Sequence, residues 1–172
     1  MPKPVTDWTD SELQNIIDNY RRKALTSDAY YLQALEEMSR RKGRGLEFDK
    51  TLRAVLKAAR ADVYLSYAQL AEESGVDWTN KRAAMMGHLN SLVEFSHRKG
   101  WPLLSAIVVN QQKLRTGDMD ASALKGFVTA AADLGYVFAD DAAFMREQQQ
   151  AVFDWSKSFQ EAPAEAVPAE TP

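Results

Sequence analysis

The stretch YLSYAQLAEESGVDWTNKRAAMMGHLNSLVEFSHRKGWPLLSAIVV, Tyr64 to Val109, decides how the chain is read. Ser66 can cap a short helix whose inner face is Tyr67, Leu70 and Ala71, and Gly75 suits the left-handed position that ends such a helix. After the turn VDWT, a longer helix starts from Thr79 or Asn80 and carries Met85, Leu89, Leu92, Val93 and Ser96 inward. Gly100 and Pro102 stop it. The apolar run LLSAIVV, Leu103 to Val109, is β-branched at its end and predicts a strand.

On the N-terminal side, Thr9 and Glu12 have capping-box spacing, and Leu13, Ile16, Ile17 and Tyr20 form a helical stripe behind them. Ser27 or Asp28 caps a second helix with Tyr31, Leu35 and Met38 on one face, ending at Gly43 and Gly45. Residues 1–45 thus read as a helical hairpin. A third helix begins near Asp49 with Leu52, Val55, Leu56 and Ala59 on one side. On the C-terminal side, Leu124, Phe127, Val128 and Ala131 define a helix that Gly135 closes. Asp140 or Asp141 opens the last helix, with Phe144, Gln148, Val152, Trp155 and Phe159 inward and Arg146, Glu147, Gln149 and Gln150 on the polar side.

The expected fold is mainly α: a winged helix-turn-helix-like core with a small β-sheet, an N-terminal helical hairpin and two C-terminal helices. Residues 46–159 make the winged-helix-like domain with its closing helices. Residues 160–172 contain EAPAEAVPAETP, three prolines and three glutamates without an aromatic residue, and are expected to be a disordered acidic tail.

A chain of 172 residues with 45% apolar content can bury a sizeable core. Cysteine is absent, which excludes disulfides, thiolate catalysis and cysteine-based zinc sites and fits a cytoplasmic location. No run approaches the roughly 18 apolar residues that span a bilayer, and the N-terminus lacks the apolar core of a secretory signal, so no membrane partner is expected. The net charge of −3 is unevenly spread, because residues 1–118 hold 18 basic and 15 acidic side chains and the remainder is acidic. Basic clusters stand at Arg21-Arg22-Lys23, at Arg40-Arg41-Lys42 with Arg44, and at His97-Arg98-Lys99. Each falls near a helix end, where cations also complement the helix dipole.

The inventory of reactive groups argues against an enzyme. His88 and His97 lie nine residues apart on one predicted helix, about 180° out of phase, and cannot chelate one metal there. Glu94 and His97 have contact spacing, which is common on solvated helix faces. Ser105 sits in LLSAI, without the glycines of a nucleophile elbow, and reads as a buried serine bonded within a sheet. Asp140-Asp141 reads as a helix cap. Phosphate loops, HExxH, EF-hand loops and CxxC pairs are missing, so no catalytic residue, cofactor or metal is expected.

Binding remains. A helix-turn-helix presents the start of its second helix to the major groove of double-stranded DNA while phosphate contacts fix the register. Asn80, Lys81 and Arg82 begin that helix here, and Asn, Lys and Arg are the side chains that read adenine, guanine and phosphate. Trp78 can stack on a base or pack as a staple, and Arg98 and Lys99 supply further cations. The alternative is a protein-interaction module or dimeric adaptor that meets itself or another protein through Tyr30, Tyr31, Leu35 and Met38 of the hairpin.

SYAQLAEESG (Ser66 to Gly75), AAMMGHL (Ala83 to Leu89) and PLLSAIVV (Pro102 to Val109) together resemble the DNA-binding half of the alkylguanine-DNA alkyltransferase and alkyltransferase-like family, over about a quarter of the chain. That family has a tyrosine-containing helix like YAQLA, a recognition helix with an alanine-valine-glycine core, and a proline-led strand ending in Pro-Cys-His-Arg. Tyr67, Leu70, Ala71, Gly87 and Pro102 match the pattern. The cysteine, histidine and arginine of the active site are missing near Ser105 and Ala106, and LVEFSHRKGW looks like an insertion, so alkyl transfer is excluded. The resemblance implies a winged-helix scaffold that meets DNA, with Asn80, Lys81 and Arg82 on the reading helix.

Overall fold

Thr9 and Glu12 close the capping box that their spacing predicts: the Thr9 N–H donates to Glu12 Oε2 at 2.9 Å, and helix α1 (Asp10–Arg22) follows. The computed structural model describes residues 2–43 and 45–160. The predicted tail beyond Gln160 lies outside the described residues. Asp28 accepts from the Tyr30 N–H and caps α2 (Ala29–Lys42), as predicted. Then come α3 (Phe48–Arg60), strand β1 (Leu65–Ser66) and α4 (Tyr67–Glu73). Ser66 does cap α4, and Gln69 completes a second reciprocal box. After α4 the chain turns through Gly75 at φ +70°, where only glycine is unstrained. It continues as α5 (Arg82–Arg98), β2 (Val108–Val109), α6 (Ala121–Asp133) and α7 (Asp141–Ser158). The molecule is mainly α with one small sheet.

That sheet differs from the expected one. Leu104–Ile107 is a 3-10 turn, and only Val108 and Val109 extend, pairing in parallel with Leu65 and Ser66. The physical reason is packing on all sides. Leu103, Leu104, Ala106 and Ile107 are fully buried, between α5 and α7, so the run has no solvent face to impose alternation. A short, wholly apolar run does not distinguish a buried strand from a buried helical turn. Among the described residues no antiparallel hairpin forms a wing.

The hydrophobic core is continuous from the hairpin into the centre. Leu13, Ile17, Tyr31, Leu35 and Met38 share one cluster with Val55, Leu70, Met85, Leu92 and Phe153. A second cluster, built on Val93, Leu103, Phe127 and Phe144, lies under α6 and α7. Helix α5 serves both and packs against α2 on one side and α6 on the other. Tyr31, Leu35 and Met38, expected as a partner surface, are therefore buried; of that set only Tyr30 keeps partial exposure, with its hydroxyl donating to the Lys3 carbonyl. The face of α7 also turns relative to the prediction. Gln149 is buried, donating from Nε2 to the carbonyls of Ala106 and Gly117 at 3.0 and 2.7 Å.

Candidate functional site

The turn before α5 starts from Asp77, whose carboxylate accepts the Thr79 N–H at 3.0 Å. Asn80 then takes the left-handed conformation at φ +60°, which an asparagine tolerates better than most residues. This shifts the helix start from the predicted Thr79 or Asn80 to Arg82, with Lys81 at the N-cap making no side-chain cap bond. Trp78 packs rather than projects: its ring stacks on Tyr67 with centroids 6.1 Å apart, against the core. Asn80 and Arg82 are exposed and Lys81 is half-exposed. Neither Lys81 nor Arg82 has an acid within ion-pair distance among the described residues. Lys42, also without such a partner, ends α2 beside the same hollow as Ala83 and Gly87.

Arg98 and Lys99 are not part of this group. They stand at the opposite end of α5, about 24 Å from Arg82 at the helical rise. Arg98 also faces Glu94, with Nη2 at 3.9 Å from the carboxylate. Glu94 is engaged with the hairpin: it accepts from Arg21 Nη2 at 2.8 Å and from the Tyr31 hydroxyl. The Glu94–His97 pair allowed by spacing does not form; His97 Nδ1 instead lies 3.0 Å from the Tyr136 hydroxyl. His88 is buried, with Thr51 Oγ1 at 2.7 Å from Nε2 and Ser39 Oγ at 3.5 Å from Nδ1. Burial pulls its pKa down to about 4, so it is a neutral core residue at physiological pH. No group of three or more His, Asp or Glu side chains among the described residues is placed to hold a metal. None of the described helices is long and apolar enough to cross a membrane.

Below Arg82 a cavity of about 320 Å³ opens between α4, α5, the 3-10 turn and α6. Arg82, Met86, Leu89 and Val93 form its α5 wall at helical spacing, and Phe127 and Met119 face them. Tyr67 contributes a phenol that burial pushes up in pKa, so it stays protonated and able to donate. Ser105 lines the same space. It is only 5% exposed and stands in the 3-10 turn rather than in the sheet expected from sequence. Asp120 caps α6, accepting from the Ala123 N–H at 2.8 Å and the Ser122 hydroxyl at 3.0 Å. Those bonds, with Arg82 nearby, hold its carboxyl below the usual range.

Sequence reasoning assigned Tyr67 and Ser105 to packing and passed over Gly126 and Asp120. A signal was present at Gly126, a glycine inside a predicted helix, where an added Cβ meets nothing within 4 Å. Against family models, curated proteins and solved structures, the chain matches nothing.

Proposed function

We propose that the protein is a non-enzymatic, cytoplasmic binding protein that contacts double-stranded DNA through the start of α5. The observation that carries this reading is the group of cations around that helix start. Lys81 and Arg82 have no ion-pair partner among the described residues, Asn80 is exposed next to them, and Lys42 borders a hollow that Ala83 and Gly87 of the same helix line. Unpaired cations at a helix start, braced by α4 and the turn, are what a helix-turn-helix offers to phosphates and base edges. The contact is small, because α5 is flanked by α2 and α6 along most of its length. Binding is accordingly weak and salt-sensitive rather than tight.

A protein partner is the second reading. It is favoured by Asp77 and Asp120, which stand beside Lys81 and Arg82 and repel phosphate. A mobility-shift assay with duplex DNA at low and moderate salt separates the two. A shift at low salt that disappears at moderate salt supports DNA; no shift at low salt removes the DNA reading and leaves the protein partner.

A further inference from the structure

We infer that the cavity between α4, α5, the 3-10 turn and α6 binds a small monocarboxylate with an aryl or alkyl body. The body lies between Met86, Leu89 and Phe127, and the carboxylate meets Arg82. This site goes beyond the DNA contact and shares only Arg82 with it.

The volume of about 320 Å³ falls at the small end of ligand pockets, enough for a compact molecule. The order of groups along its α5 wall sets the chemistry. Arg82 stands at one end, and Met86, Leu89 and Val93 continue the same helical face beyond it. A cation followed by an apolar wall fits an anionic head on an apolar body. Arg82 is free to make the bidentate contact that a carboxylate takes, since no acid lies within ion-pair distance of it among the described residues. Asp120 limits the charge that can enter. One of its oxygens is held by the Ala123 N–H and the Ser122 hydroxyl, but its charge remains close to Arg82 and opposes a dianion such as phosphate. Arg82 itself opposes an amine.

Ser105 also lines this cavity, where its hydroxyl offers a ligand one donor and an acceptor. Gly126 leaves the opposite wall open, because a Cβ built there meets nothing within 4 Å. Bulk added at Gly126, which lines the cavity, therefore has open space and does not strain the helix.

The test is calorimetric titration of the full chain with 4-phenylbutyrate, 4-phenylbutan-1-ol and 4-phenylbutylamine. The expected result is saturable binding of the carboxylate with Kd below about 1 mM. The alcohol and the amine bind at least about 10-fold more weakly, the scale of one charge-assisted contact. Arg82→Gln removes the preference for the carboxylate over the alcohol. Gly126→Leu abolishes binding of all three while far-UV circular dichroism and Tm are kept, since Leu is the better helix former. No saturable heat with 4-phenylbutyrate up to about 5 mM overturns the assignment. So does equal affinity for carboxylate and alcohol, or carboxylate binding that survives in folded Gly126→Leu.

Discussion

His88 shows how a single buried side chain links this fold to pH. It is held neutral between Thr51 and Ser39, with a pKa near 4 against about 6.5 in an unfolded chain. Because the native pKa is depressed, the unfolded state binds the extra proton first, so stability is full above pH 6.5 and falls as pH drops toward 4. Urea unfolding at pH 7.5 and pH 5 is expected to differ by about 2 kcal/mol from this residue. In His88→Leu that share of the difference disappears; an undiminished pH dependence would assign it elsewhere. Below this window Glu37, held near 2 by hydrogen bonds from Arg40 and Arg41, adds a second acid-sensitive group. At this scale the sequence was partly legible. The spacing of His88 and His97 excludes a shared metal on one helix, but the Thr51 and Ser39 hydroxyls that hold His88 come from two other helices. Ser105 and Gln149 were not legible, because whether a polar side chain in an apolar neighbourhood finds a partner depends on residues distant in the chain.

At the scale of elements, the helices were legible where local chemistry fixes their ends. Thr9 with Glu12, Asp28, Ser66 and Asp140 all cap the helices they precede, as does Asp120, which sequence reasoning passed over. The segment Leu103 to Val109 was not, since burial between α5 and α7 removes the alternation that marks a strand. The loop joining β2 to α6 holds another feature set by tertiary packing. Gly117 has φ +71°, and a Cβ there would run into the ring of Tyr64. Gly117→Ala is expected to destabilise by about 2–4 kcal/mol, combining left-handed strain with overpacking. Adding Tyr64→Leu should recover the packing share and leave about 1 kcal/mol of backbone strain. Denaturant midpoints of the single and double variants measure this; no recovery in the double variant would show that the ring is not the obstacle.

For the whole molecule, one hydrophobic cluster joins the hairpin to the helices beyond it, and Glu94 ties α5 to Arg21 and Tyr31. The sequence divides at the Gly43 and Gly45 breakers, but turn residues mark where a chain bends and not whether the two sides share a core. A fragment of residues 46–160 leaves Phe48, Leu92 and Phe95 without the hairpin residues that complete their cluster. It is expected to lose the cooperative thermal transition of the full chain; a sharp transition in the fragment would show that the hairpin is dispensable.

The same scale decides function. Cations lie at both ends of α5: Arg98 faces Glu94 at one end, whereas Lys81 and Arg82 at the other, like Lys42, have no acid within ion-pair distance among the described residues. If three phosphates are neutralised there, the logarithm of the DNA affinity falls with the logarithm of salt at a slope of about −2.7. Fluorescence anisotropy of labelled duplex DNA across a salt series, with the native chain and with Lys81→Ala plus Arg82→Ala, measures it. The predicted result is weak binding whose slope falls to about −1 in the double variant. An unchanged slope, or no binding by the native chain at the lowest salt, would contradict a DNA contact at the start of α5.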